Sequence, residues 1–200
     1  MGFDMPFYSP ANAVASSAVL LCWIGFCAVM LRSRMAASGK SGAARRDLRS
    51  IFGIALQGAG MALAWAGGRV RFAWPVGVAD WIGAIPPAAI ACFSVALFAW
   101  STRTMGANWS LVARTREDHT LVESGPFAFT RNPIYVALFG MMCATATALG
   151  HFMPLIAAIP LYLIGSVVRV RIEERLLRQT FGQAFDDYAR RVKRFIPLVW

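Results

Sequence analysis

Five stretches of the chain run almost free of charge: Ala11–Leu31, Ile51–Gly68, Trp81–Trp100, Pro133–Leu149 and Phe152–Val168. A membrane-crossing helix needs about 20 mostly apolar residues, with roughly 17 as a floor. The first three stretches pass that test. The last two, at 17 residues each, barely do, and only Gly150-His151 separates them. They predict a tight helical hairpin buried among the other helices. Tryptophans at both ends of Trp81–Trp100 sit where interfacial aromatics belong, and Pro86-Pro87 should kink this helix or delay its start. Gly58-Ala59-Gly60 lacks the strand-to-helix setting of a nucleotide loop. Inside an apolar span it predicts a close helix contact.

Beyond Val168 the helical pattern continues into charge, from Arg169 to Gln179, so this helix should leave the membrane as one piece. A final segment carries Phe181, Phe185, Tyr188 and Val192 at helical steps. Arg190, Arg191, Lys193 and Arg194 lie on its polar side, a pattern that suits a bilayer surface. The expected fold is therefore all-α: a polytopic membrane protein of about five transmembrane helices with a C-terminal amphipathic helix. Residues 1–200 form one membrane domain, with 1–105 as scaffold and 106–197 carrying the chemistry.

Composition supports the bilayer. The chain is 58% hydrophobic and 15% charged, against roughly 45–50% and about 25% in soluble domains. A net charge of +10 would suit nucleic acid or anionic lipid, and the apolar runs decide for lipid, with no nucleic-acid partner. The first connection holds Arg32, Arg34, Lys40, Arg45, Arg46 and Arg49 against Asp47, and the C-terminal stretch is also rich in Arg. The hairpin turn has no Lys or Arg. The positive-inside rule then puts the N-terminus outside and the C-terminus in the cytoplasm, with Arg69 and Arg71 as a modest conflict. Cys22, Cys27, Cys92 and Cys143 stand in apolar stretches without a CxxC or a spaced His, so neither a metal nor a disulfide framework is expected. Asp4 and the lack of early Lys or Arg argue against a cleaved signal peptide, and Pro6 removes the hydroxyl that myristoylation requires.

The polar stretch Gly106–Asn132 is too long for a minimal connection, and long ordered loops tend to carry function. It ends in Arg131-Asn132-Pro133, where Asn132 as N-cap and Pro133 at the first helical position make good helix-start chemistry. Arg131 could simply snorkel to headgroups. The second polar concentration is Arg169 to Arg175. Arg169 with Glu173, and Glu174 with Arg178, stand four apart as intrahelical ion pairs do. Two adjacent carboxylates where a membrane helix emerges are also a candidate for holding a cationic group.

The string from His119 through Thr120, Leu121, Val122 and Glu123 to Gly125-Pro126-Phe127, followed by Arg131-Asn132-Pro133-Ile134-Tyr135, resembles the cofactor-binding signature of the isoprenylcysteine carboxyl methyltransferases. Phospholipid and thiol methyltransferases of membranes belong to the same wider group. A second signature of that group is similar to Arg169, Glu173-Glu174, Leu177, Phe181-Gly182, Tyr188, Val192 and Pro197. The resemblance spans about Gly106 to Pro197 and implies S-adenosylmethionine held at the cytoplasmic face. It implies that His119, Thr120, Leu121, Val122, Phe127, Asn132, Pro133, Ile134 and Tyr135 line the cofactor. Glu173 and Glu174 would meet its polar part, and Arg169 would face a lipophilic acceptor: a prenylated cysteine carboxylate, a phospholipid amine or a thiol. The family usually has His at Asn132, Tyr at Phe127 and Gly at Ala137. Asn keeps a donor and an acceptor but cannot titrate, so positioning rather than proton transfer is expected there. Two other readings stay open, an NADPH-dependent membrane reductase of related architecture and a catalytically lapsed scaffold.

Overall fold

The computed structural model describes residues 8–38, 45–46, 49–66, 69–72, 76–106, 114–115 and 120–195. Among the described residues, six α-helices carry the fold: α1 (Ala13–Ser38), α2 (Arg49–Trp65), α3 (Val78–Met105), α4 (Pro133–Ala148), α5 (Phe152–Phe181) and α6 (Gln183–Arg191). By length and composition α1, α3 and α5 can each cross a membrane, while α2 and α4 are shorter apolar helices. Pro86 and Pro87 neither delay nor end α3, which begins at Val78 and runs through both. Their ring positions fall past the first turn, and in lipid neighbouring groups can satisfy the carbonyls that a proline leaves free.

The polarity is turned inside out relative to a soluble protein. Leu20, Leu21, Ile85, Phe93, Met153 and Ile156 face outward, whereas Gln57, Ser94, Ser101, Thr102, Asn132, Arg169 and Glu174 are buried. Lipid is as apolar as a leucine side chain, so polar groups gather where protein can satisfy them.

Helix α4 is the central post, touching α1, α2, α3 and α5. One apolar core fills α1–α3–α4 and a second fills α2–α4–α5, with Leu138 packed against both. The α2–α5 seam depends on absent side chains. A Cβ at Gly60 would sit 2.9 Å from the Tyr162 nitrogen, and one at Gly165 would sit 2.8 Å from that of Gln57. Gly58 meets nothing within 4 Å, so the close contact predicted for this triplet falls on Gly60.

Two short strand pairings join the connections. β1 (Tyr8–Ala11) lies parallel to β3 (Arg69–Phe72), and β2 (Arg45–Arg46) lies antiparallel to β4 (Arg114–Thr115). They amend the all-helical expectation only at the rims, where backbone outside a helix must find partners. The pairing is consistent with alternating passes: the N-terminal segment meets the α2–α3 connection, and the α1–α2 connection meets the α3–α4 connection. Asn12 fastens the first of these ends. Its Oδ1 caps Ala15 N at 3.0 Å, its Nδ2 donates to Asp80 O at 2.7 Å, and its backbone N donates to Ala148 O at 3.1 Å. The hairpin turns at Gly150, whose φ of 72° favours glycine.

Alanine at Gly60 should cost about 1–3 kcal/mol by forcing α2 off α5. Alanine at Gly58, with open space around it, should cost nothing. Thermal unfolding of both variants in one detergent checks the contrast.

Candidate active site

The site is built where α5 passes from apolar to charged sequence. Arg169 is buried there, and Gly53 makes its room: a Cβ at that position would lie 2.4 Å from Arg169 Cγ. The guanidinium is met from three sides. Its NH1 donates to Gln57 Oε1 at 3.2 Å, its NH2 reaches Glu173 Oε1 at 3.3 Å, and its carbon stands 5.0 Å from the centre of the Tyr135 ring. The Tyr135 hydroxyl donates to the same Glu173 oxygen. Behind this group, Gln57 Nε2 donates to Ser166 Oγ at 2.8 Å, and Ser166 donates to Tyr162 O at 2.9 Å. Tyr162 OH in turn donates to Tyr135 O at 3.0 Å. Residues from α2, α4 and α5 thus share one buried polar network, in which each polar atom is worth most when all are satisfied.

The pair expected between Arg169 and Glu173 is present. The one expected between Glu174 and Arg178 is not. Glu174 turns to Arg131 and Arg194 instead, each at 2.8 Å, while Arg178 pairs with Asp186 at 2.7 Å. Helical spacing offered Glu174 an exposed partner, and burial among two guanidiniums won. Arg131 accordingly does not snorkel to headgroups, and Arg194 is not on a free polar face. Asn132 does stand at the N-cap of α4, with Pro133 following, but its side chain makes no capping bond. Its amide donates to Arg194 O at 3.0 Å.

The loop ahead of α4 leans on α6. The Tyr188 hydroxyl donates to Phe127 O at 2.7 Å, and Leu121 packs with Phe185, Tyr188 and Val192. Burial pushes the Tyr188 phenol above its ordinary value. Phe127 belongs to a 3-10 turn, Gly125–Ala128, which packs on α3. Of the residues singled out from the sequence, Tyr135, Arg169 and Glu173 come into contact. Asn132 and Glu174 lie beside them in the network around Arg194. Thr120 is exposed and Val122 half-buried, Pro133 is buried, and Ile134 packs toward the α1–α3 core. His119 lies outside the described residues. Among the described residues no cluster of three His, Cys, Asp or Glu could hold a metal. Gln57 was not foreseen, although a single amide in a charge-free span is a signal of a buried polar contact.

A family model described as phospholipid methyltransferase matches residues 84–184, from the second turn of α3 to the start of α6. The chain belongs to the phospholipid methyltransferase family. Among curated relatives, a protein-S-isoprenylcysteine O-methyltransferase of Schizosaccharomyces pombe is 32% identical over 90 residues, 44% of this chain and 38% of that protein. The cobalt-zinc-cadmium resistance protein CzcN of Cupriavidus metallidurans is 34% identical over 99 residues, 48% of this chain and 45% of that protein. The match thus spans less than half the length of either relative. Among solved structures, a eukaryotic isoprenylcysteine carboxyl methyltransferase aligns with a TM-score of 0.54 at 19% identity, covering 91% of this chain and 68% of that one. This likeness concerns the fold of this family member.

Leucine at Gln57 should cost about 1–3 kcal/mol, because Arg169 and Ser166 lose a buried partner. Combining it with Ser166→Ala should add less than the sum of the two, which a double-mutant cycle of thermal unfolding measures. Because the folded-state pKa of Tyr188 is raised, the stability it contributes is intact at neutral pH and lost as pH climbs past the unfolded value of 10.0. Tyr188→Phe should flatten that alkaline loss in a pH series of unfolding temperatures.

Proposed function

We propose that this chain is a membrane methyltransferase that moves a methyl group from S-adenosylmethionine to a lipophilic acceptor. The observation that carries this reading is the Tyr135–Glu173–Arg169 group at the emergence of α5. Both bonds to Glu173 fall on Oε1, and its side chain is 27% exposed. Oε2 is therefore the atom suited to an ammonium, and the donor set fits the charged amino-acid end of the cofactor. His119, Thr120, Leu121, Val122, Phe127, Asn132, Pro133, Ile134 and Tyr135 line the cofactor in this reading, and residues 106–197 carry the chemistry.

Bound S-adenosylmethionine supplies a methyl group already activated by its sulfonium, so in-line displacement asks for alignment and a dry site more than for an acid or metal. Tyr135 fixes the Glu173 carboxylate by donating to Oε1. Glu173, whose Oε1 is already engaged by Tyr135 and Arg169, would hold the ammonium of the cofactor. Arg169, kept in place by Gln57 and the Tyr135 ring, would present its positive charge to the acceptor. The acceptor reaches the site from the bilayer, and a prenylcysteine carboxylate, a phospholipid amine and a hydrophobic thiol all have the required apolar tail. The chain makes five passes in this reading, with α2 and α4 as the short ones, α6 on the bilayer surface and the site at the cytoplasmic rim.

Calorimetry on the protein in lipid nanodiscs should show S-adenosylmethionine binding and none of NADPH. Glu173→Gln should weaken it by about ten- to a hundredfold, the range of a charge-assisted hydrogen bond. Binding of NADPH alone, or an undiminished affinity in Glu173→Gln, would sink the proposal. Labelled S-adenosylmethionine incubated with membrane extract then identifies the acceptor by the molecule that takes up the label.

A further inference from the structure

Glu173 and Glu174 are neighbours in sequence and opposites in environment. Glu173 keeps an oxygen available, whereas Glu174 has a side chain only 8% exposed and both oxygens occupied. Its Oε1 accepts from Arg131 NH2 at 2.8 Å and from Arg194 Nε at 3.1 Å. Its Oε2 accepts from Arg194 NH2 at 2.8 Å and Nε at 3.1 Å. Arg131 also reaches the end of α6, where its NH1 donates to Ala189 O at 2.6 Å and Val192 O at 2.9 Å. The segment after α6 answers in the other direction. Arg194 O accepts from Thr130 Oγ1 at 2.8 Å and from Asn132 Nδ2 at 3.0 Å, and Lys193 O accepts from Arg131 N at 2.9 Å.

A buried carboxylate already neutralised by two guanidiniums is poorly placed to hold a ligand's ammonium as well. Nor is the attachment it makes redundant. α6 has nine residues, too few to be stable as an isolated helix. Beyond it, Val192 turns extended and Thr130–Lys193 forms a lone bridge. Hydrogen bonds from Thr130, Arg131 and Asn132 join this segment to the loop, and Glu174 adds the ion pairs that hold both to α5.

We infer that Glu174 is a positioning residue: with Arg131 and Arg194 it clamps residues 192–195 across residues 130–132, and so sets the start of α4 for the cofactor. Its effect on cofactor affinity rests on the methyltransferase reading, while the clamp itself can be tested without it. Removing Glu174's charge leaves two guanidiniums without the anion between them, and the segment opens more often. Asn132 and Tyr135 then lose their fixed register beneath it.

The test uses the full chain in nanodiscs and two readouts, trypsin cleavage at Arg194 and S-adenosylmethionine affinity. Cleavage reports how often the segment opens. Glu174→Gln should speed it by about tenfold or more, as breaking a buried pair implies, and should weaken the cofactor. Lys at Glu174's more exposed partner, Arg194→Lys, retains one contact and should fall between wild type and Glu174→Gln. Glu173→Gln should weaken the cofactor and leave cleavage unchanged. Adding Thr130→Cys and Lys193→Cys to Glu174→Gln and oxidising the pair should restore affinity, because the bridge replaces the clamp. Failure of that crosslink to restore affinity would make Glu174 a direct ligand and overturn the inference, as would unchanged cleavage in Glu174→Gln. If the wild type binds no S-adenosylmethionine, the functional proposal falls, and the cleavage rates alone decide the clamp.

Discussion

A guanidinium buried in a helical bundle is costly unless protein groups meet it. Arg169 sets that requirement, and much of the structure answers it. Gly53 gives up a side chain for it, Gln57 supplies an amide, Glu173 a carboxylate and Tyr135 a ring face. Each responder is in turn held: Gln57 by Ser166, and the Tyr135 backbone by Tyr162. The need to place one buried cation thereby fixes the register of α2 on α5 and of α4 on both. The glycines of the α2–α5 seam follow from the same demand, since longer side chains would hold the helices too far apart for these bonds.

α5 makes this possible by being a single helix. A break at Val168 would let the charged end swing independently of the span below it. As one rigid rod of 30 residues, it carries Tyr162, Ser166, Arg169 and Glu173 on one face at steps of three and four. The spacing between the apolar arm of the hairpin and the charged site is set within this one helix. Gly182, with φ of 52°, ends that rod and lets α6 fold back across the loop. Family membership fits this economy, since the matched residues run from α3 to the beginning of α6.

The helices themselves were legible because lipid rewards a simple pattern, and Pro133 and Gly150 mark their boundaries locally. The grouping of Arg169, Glu173 and Tyr135 was legible too, through the two signatures on either side of the hairpin. What spacing could not show was the choice of partner. Glu174 and Arg178 stand one turn apart, yet Arg194, twenty residues away, takes the carboxylate. Helical periodicity counts neighbours along an element and knows nothing of segments that fold back onto it. The same blindness hid Gln57, whose partner is 112 residues distant, and gave Asn132 a capping bond that its amide spends elsewhere. Pro86 and Pro87 do not delay the start of α3, because bilayer helices tolerate proline better than helices in water do.

Asn12 ties the beginnings of α1 and α3 to the end of α4 at one rim, and the polar network ties α2, α4 and α5 toward the other. Between these two belts the helices meet chiefly through apolar side chains. Parting them there exchanges one set of dispersion contacts for another of equal quality, since an acyl or prenyl chain packs as a leucine does. Parting them at either rim breaks hydrogen bonds that lipid cannot replace. Compliance is therefore concentrated at mid-height, as in a lantern whose ribs are fixed at top and bottom. Under the proposed function, such a body would admit a long apolar chain by bowing its walls while its polar network stayed in register.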